Sequence, residues 1–343
     1  MKLSAGITSR SIGFLAYDGV QLLSIAGPAE VFGAANRAFA ERGIPPLRQP
    51  YAPRLFSPQG GTVVSASGLS LLSEPLSAEV PDLDTLVVPG GSGIRTVMAD
   101  QETVDWLRRT APRVRRIVSF GGGAFILAKA GLMSGRRCVT HWRFEPDLVR
   151  EYPDVNLVGG ELFVRDGPFF SAAGGSAAVD LTLRLVEEDH GKPIAIHVAH
   201  MMVLSRVRPG EQPQLAAELR AQLAATPRIA QAAEWIVDHI IERPTVADLA
   251  QKFAMSERNF SRSFTREMGV SPQRFIDQTR LEAARRWLSS SNLPLEAVAR
   301  KSGFSGAEHM AQAFRRHLNV TPHAYRLAIQ AQDAASPFDH ESL

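Results

Sequence analysis

The chain has 343 residues, 45% of them hydrophobic and 21% charged, which is room for two domains, each with its own core. Its one cysteine, Cys138, excludes an internal disulfide and any Cys-rich metal site, and no apolar run approaches the ~20 residues of a membrane-spanning helix. The net charge of +3 is unevenly spread: Thr226 to Gln330 holds fifteen Lys/Arg against ten Asp/Glu, or +5, leaving −2 for the remainder. A basic last third suits a polyanionic partner. With no secretory signal read in the first residues, the expected compartment is the reducing cytoplasm.

Residues 10 to about 190 alternate short β-rich runs (Ile12–Ala16, Arg54–Ser57, Thr85–Val88, Arg116–Phe120, Cys138–Thr140) with helical patterns. That alternation predicts an α/β domain with a mainly parallel sheet. Within it, RRIVSFGGGAFILAKAGL (115–132) has the form strand, Gly-rich turn, helix. Hydrolases present a Ser or Cys nucleophile at such an elbow. Here Gly121, Gly122 and Gly123 stand there instead. A covalent mechanism cannot omit its nucleophile, whereas glycine leaves backbone N–H groups and adds space. The elbow is therefore expected to bind a small polar molecule without turning it over, its first helical amides facing a carboxylate or carbonyl oxygen. Cys138 is expected to be a small structural residue on the following strand. Gly90-Gly91-Ser92-Gly93 has the texture of a phosphate loop, but no Lys-Ser/Thr follows it. His197 and His200 lack a third ligand within sequence reach, so core or interface roles are expected and no metal or cofactor.

Pro193–Ser205 reads as a helix with Pro in its first turn. RVRPGEQP (206–213) then reads as a linker or arm, and everything after Thr226 as helical. The expected division is 1–205 for the α/β domain, 206–225 for a linker, 226–330 for a helical domain and 331–343 for a disordered polar tail.

The helical region repeats itself. MSERNFSRSFTREMGVSPQRF (255–275) aligns with SGAEHMAQAFRRHLNVTPHAY (305–325), matching Phe260 with Met310, Phe264 with Phe314, Pro272 with Pro322 and Phe275 with Tyr325. Each copy reads helix, tight turn, helix: Val246–Phe253 then Ser256–Met268, and Leu295–Lys301 then Gly306–Leu318. This is the helix-turn-helix plan, whose second helix lies in the DNA major groove. In the first copy Ser256, Arg258, Asn259, Ser261 and Arg262 lie around the apolar stripe, with Ser256 as N-cap. Arg can fork onto guanine, Asn onto adenine, and Ser can reach base or phosphate. The matching face of the second copy offers Ala307, Glu308, His309 and Gln312, with Arg315 and Arg316 one turn later.

Residues 226–327 resemble the DNA-binding domain of the AraC/XylS family of bacterial transcription factors, two helix-turn-helix units joined by a long helix, here Pro272–Ser289. The family signature matches Gly303-Phe304-Ser305, Ala313-Phe314-Arg315-Arg316, Thr321-Pro322 and Tyr325-Arg326, with Gln312 and Asn319 standing where the family usually has Arg and Gly. Residues 10–205 resemble the class I glutamine-amidotransferase-like superfamily, which includes intracellular proteases and a deglycase. The matching stretches are LLSIAGPAEVF (22–32), LVVPGG (86–91), the elbow, AGLMSGRRCVTHW (130–142) and SAAGGSAAVDLTLRLVE (171–187).

These resemblances imply a flavodoxin-like first domain with helices on both sheet faces. Gly121 stands at the nucleophile site, Glu30 at the Glu site, His141 at the His site and Gly90-Gly91 at the oxyanion turn. Ser24 replaces an Asp common among regulators that pair the two domains. Glu30, Gly90, Gly91, Gly121, Gly122, His141 and Trp142 are thus the expected ligand-binding set, with no catalytic residue. The implied protein is a dimeric, ligand-responsive transcriptional regulator, most simply an activator. Its partners would be an operator duplex, a small polar, nitrogenous effector and a second copy of the chain, with RNA polymerase as a further candidate. The alternatives are an amidohydrolase or deglycase with an accessory DNA-binding tail, and an architectural DNA-binding protein with a vestigial pocket.

Overall fold

A computed structural model describes residues 9–43, 49–77, 82–204, 207–214, 226–318 and 320–327. The chain divides into two compact units after Gln214.

The first unit is built on an eight-stranded sheet. Its strands are β1 (Arg10–Leu15), β2 (Tyr51–Ser57), β3 (Gly61–Val64), β4 (Ser70–Pro75), β5 (Thr85–Val88), β6 (Arg116–Phe120), β9 (Phe163–Asp166) and β10 (Phe169–Ala172). Their order is β3-β4-β2-β1-β5-β6-β10-β9. The central strands pair in parallel, Gly13 opposite both Arg54 and Leu86, and Ser119 opposite Ser171. β3 and β9 pair antiparallel at the two edges. Every residue of β5, β6 and β10 is buried, as expected for parallel strands covered on both faces. One helical group is α1 (Leu23–Ala40), α6 (Ala177–His190) and α7 (Lys192–Met201). The other is α2 (Ile94–Ala99), α3 (Gln101–Thr110) and α4 (Gly123–Lys129). The chain is therefore doubly wound, with its order reversing between β1 and β5, where such folds leave a crevice beyond the strand ends. β7 (Arg137–Cys138) and β8 (Asn156–Leu157) form a separate two-stranded sheet, and α5 (Glu145–Glu151) lies between them in sequence.

At the opposite end of the sheet a charged cluster ties α6 to β1, β2 and β6. Asp189, near the end of α6 and 1% exposed, meets Arg116 at 2.6 Å, Arg115 at 2.9 Å and Arg10 at 3.8 Å, and accepts from the Tyr51 hydroxyl at 2.8 Å. Burial pushes its carboxyl up, but Arg116, Arg10 and Arg115 together outweigh that and hold it below the ordinary carboxylate value.

The second unit contains α8 (Pro227–Asp238), α9 (Val246–Lys252), α10 (Glu257–Met268), α11 (Pro272–Ser290), α12 (Leu295–Lys301) and α13 (Ala307–Leu318). It has two cores. Ile229, Ile236, Leu249, Phe260, Phe264 and Phe275 fill the first; Leu281, Leu288, Val298, Phe304, Met310, Phe314 and Tyr325 fill the second. Opposite halves of α11 enter the two cores, so this helix is the spine of the unit. The repeat is visible as geometry: Phe264 meets Phe275 edge-on at 5.4 Å, and Phe314 meets Tyr325 edge-on at 5.6 Å. Thr245 and Asp248 form a reciprocal capping box on α9, and Gly269 (φ +71°) ends α10 in the left-handed region.

Four sequence expectations need correction. The helix read as Pro193–Ser205 ends at Met201, and Val203 takes a positive φ of 54°. The strand read as Cys138–Thr140 is only the short β7. The β3–β4 hairpin was not expected, because its strands are short and mostly exposed. Residues 207–214, read as linker, are hydrogen-bonded onto the first unit. Asn319 and the tail at 331–343 lie outside the described residues.

Candidate functional site

β6 delivers Gly121 into the turn with φ +53°, a left-handed conformation that side chains resist. Its N–H donates to Ala172 O at 2.8 Å, and its carbonyl accepts from the Thr140 hydroxyl at 2.9 Å. A Cβ added here would stand 3.2 Å from Ala173 O, so glycine relieves both strain and crowding. The neighbouring glycines serve a different end. A Cβ on Gly123 would lie 1.9 Å from Val88 O, one on Gly90 2.5 Å from Gly122 N, and one on Gly91 2.2 Å from Gly19 O. The turns after β1, β5 and β6 thus cross backbone against backbone. Gly90, Gly91 and Gly122, expected to line a ligand, fill this crossing with their own main chain.

The acidic side chain expected from α1 faces solvent. The Glu30 side chain is 69% exposed and faces Arg37 at 3.8 Å. Ser24, six residues earlier, is fully buried, and its hydroxyl donates to Gln21 Oε1 at 2.8 Å. A Cβ on Gly174 would lie 3.3 Å from Gly121 Cα and 3.6 Å from that Gln21 oxygen, so Gln21 and Gly121 flank the same glycine. The polar group beside the elbow is the Ser24–Gln21 pair.

Thr140, not His141, touches the elbow. His141 is half-buried, its Nδ1 accepting from Arg143 N at 3.3 Å and its ring 5.4 Å from Trp142 and 5.7 Å from Phe144. Burial and the Arg143 charge lower its pKa against the opposing pull of Glu145, which favours neutral imidazole. Trp142 is 47% exposed. Cys138 is fully buried, and burial pushes its thiol up to about 12, so it stays protonated and inert. His197 Nε2 lies 3.0 Å from Glu41, and no group of three metal-ligating side chains occurs among the described residues.

In the second unit, Arg258, Asn259 and Arg262 are exposed together on α10. Arg262 donates to Asn259 Oδ1 at 3.2 Å, holding the pair as one surface. Ser256 spends its hydroxyl as N-cap, accepting from Asn259 N, and Ser261 is half-buried. On α13, Glu308, His309, Gln312, Arg315 and Arg316 are exposed and Ala307 is half-buried. His309 Nδ1 is 3.0 Å from Ser305 Oγ, with its ring edge-on to Phe304. The capping of α13 was not foreseen: where the first copy has Ser256 the second has Gly306, and Glu296 on α12 accepts from Ala307 N at 2.9 Å. A missing cap residue with an acid ten positions earlier was the available signal.

Comparison with known proteins covers both units. The DJ-1/PfpI family model matches residues 10–188, and a helix-turn-helix domain model matches residues 249–328. The transcriptional regulator CdhR of Pseudomonas aeruginosa is 29% identical over 335 residues, covering 96% of each chain. The regulator GlxA of Rhizobium meliloti is 32% identical over 322 residues, 92% of this chain and 95% of its own. An isonitrile hydratase of Pseudomonas putida is 32% identical over 177 residues, 52% of this chain and 71% of the enzyme. Among solved structures, a ThiJ/PfpI family protein from Pseudomonas syringae superposes with TM-score 0.51 at 24% identity, covering 59% of this chain and 78% of that one. Matched along nearly its whole length by such regulators, the chain belongs to the HTH-type transcriptional regulators that join a DJ-1/PfpI domain to an AraC-type DNA-binding domain.

Proposed function

We propose that the protein is a cytoplasmic, dimeric activator whose first unit binds a small polar, nitrogenous metabolite at the Gly121 elbow without turning it over. The observation that carries this reading is an elbow backbone kept in the left-handed conformation of a nucleophile turn with no side chain on it. Ser24, Gln21, Thr140 and His141 are the polar groups offered to a ligand, and Trp142 is the exposed aromatic beside them. Screening amino acids, betaines and amines for a shift in melting temperature tests it. A complete lack of response would favour an architectural DNA-binding protein.

The enzyme reading needs a water activated by Glu30 and His141, and Glu30 faces solvent. We therefore expect no amidase, esterase or glyoxal-consuming turnover from purified protein. Turnover that disappears in His141→Ala would overturn this.

For DNA, the helix-turn-helix units that carry α10 and α13 are joined by the nineteen-residue α11, about 28 Å long at ~1.5 Å per residue, which suits adjacent major-groove segments one turn apart. Arg258→Ala or Arg262→Ala should each cost ~1–3 kcal/mol and relax specificity at particular base pairs. Arg262→Ala also frees Asn259. Arg315→Ala and Arg316→Ala should weaken binding evenly across sequences and flatten its salt dependence. Gel-shift titrations on a duplex selected from a random pool, and on its single-base variants, separate the two behaviours. Unchanged affinity in both Arg258→Ala and Arg262→Ala would remove α10 as a reader.

A further inference from the structure

Residues 207–214 form a strap pinned at both ends to the two segments that flank the elbow. At one end Arg208 holds Asp180, in the first turn of α6. Its backbone N–H reaches Oδ1 at 3.0 Å, and its guanidinium reaches Oδ2 at 3.0 and 2.5 Å and Ser176 Oγ at 2.7 Å. Asp180 is 6% exposed, and α6 follows directly on the Gly174–Gly175 turn beside Gly121. In the middle, the carbonyls of Gly210 and Gln212 accept from Leu162 N at 2.8 and 3.0 Å. The approach there is so close that a Cβ on Gly210 would stand 2.5 Å from Phe163 O. At the other end the Gln214 side chain spans the peptides on either side of His141. Its Oε1 accepts from Trp142 N at 2.7 Å, and its Nε2 donates to Thr140 O at 2.9 Å and Glu145 Oε1 at 3.4 Å. Thr140 in turn holds the Gly121 carbonyl.

Gly121 is buried, with Ala173 O already close to any added atom. A molecule that competes for the Gly121 carbonyl must displace the Thr140 hydroxyl, and Gln214 grips the Thr140 carbonyl in the same segment. Gln214 is also the last residue of the first unit before the chain runs on to the DNA-binding unit. We propose that the strap is a latch over the elbow and its output: effector binds only when Gln214 lets go, and the released strap changes how the DNA-binding unit engages its operator. This rests on the elbow being the effector site. A ligand that fits only the unlatched state shifts the equilibrium by its differential affinity, and its apparent affinity falls with the unlatched fraction. The latch is made of hydrogen bonds rather than apolar burial, so water can take its place.

Gln214→Glu is the cleanest test, because it keeps the shape and sets a carboxylate against Thr140 O and Glu145. In the full chain, hydrogen exchange at the Trp142 and Leu162 amides should rise at least tenfold. Affinity for a duplex selected from a random pool should shift at least fivefold, with the first unit's melting temperature within a few degrees of the parent. Gly210→Ala, which forces the strap off by contact with Phe163, should shift affinity in the same direction. Unchanged operator affinity in both variants would overturn the proposal. So would an affinity change confined to variants whose first unit no longer unfolds cooperatively. If these variants shift affinity while substitutions at Gly121 and Ser24 leave induction normal, the latch stands and the effector enters elsewhere. Unmoved affinity together with loss of induction at Gly121 and Ser24 would remove the latch and keep the elbow.

Discussion

Asp189→Ala is expected to lower the stability of the first unit by about 3–5 kcal/mol, the usual cost of stripping the partner from a buried charge. Arg116 is 2% exposed and meets Asp189 at 2.6 Å; without that carboxylate its charge stays buried with the Thr85 hydroxyl as acceptor and Asp84 as the nearby opposite charge. Arg115 retains Asp84, so the loss falls mainly on Arg116 and on Tyr51, whose hydroxyl loses its acceptor. Asp189→Asn keeps the shape and an acceptor and should still lose most of the stability, because the missing charge is the larger part. The same cluster sets an acid limit. His190 is pushed down to about 4 by burial and by Arg10, against the pull of Asp189. The unfolded chain therefore binds a proton on this residue between its ordinary pKa, near 6.5, and 4, while the folded chain does not. Stability must then fall as pH drops through that window. Asp189, held below its ordinary value, adds a further loss below about pH 4. Urea melts of the parent at pH 7 and pH 4.5, and of both variants at pH 7, check this. A loss under 1 kcal/mol in Asp189→Ala would show that the cluster is solvated rather than structural.

Elements that announce themselves through local chemistry were legible. Thr85–Val88 and Arg116–Phe120 are short β-branched runs buried on both faces, and Leu295–Lys301 lies between a proline and a Gly-containing turn. The repeated helix-turn-helix was legible because aromatic residues recur at a fixed offset, and each of those residues proves to be core. Long-range consequences were not legible. Residues 207–214 have linker composition, and only the approach of Leu162 and Asp180 makes them part of a folded unit. Gly90, Gly91 and Gly122 look like a ligand cradle because sequence cannot tell a glycine that meets a ligand from one that meets another backbone. Glu30 was the expected acid because the resemblance placed it at the family's Glu site. Yet residues 24 and 30 lie six positions apart on one helix, about 120° apart around its axis, so they point in different directions. Burial decides for Ser24.

That choice sharpens the test of the elbow. Gly121→Leu should abolish the difference between effector-free and effector-saturated output, because it sets a bulky side chain at the turn where the effector is proposed to sit. Strain alone could mimic this: any side chain at φ +53° costs about 1–2 kcal/mol, and the contact with Ala173 O adds to it. Gly121→Ala carries that strain with little bulk and should remain inducible, though less stable. Ser24→Ala removes the hydroxyl that fixes Gln21 and should weaken the effector response without moving effector-free operator affinity. Glu30→Gln should respond normally, since its carboxylate faces Arg37 and solvent. An effector acts only through its differential affinity for two states, so losing its site removes its effect at any concentration. The readout is a reporter gene driven by the selected duplex, together with operator titration, using the metabolite that raises the melting temperature. Normal induction in Gly121→Leu would place the effector away from the elbow, and a response lost in Glu30→Gln but kept in Ser24→Ala would place it on the outer face of α1.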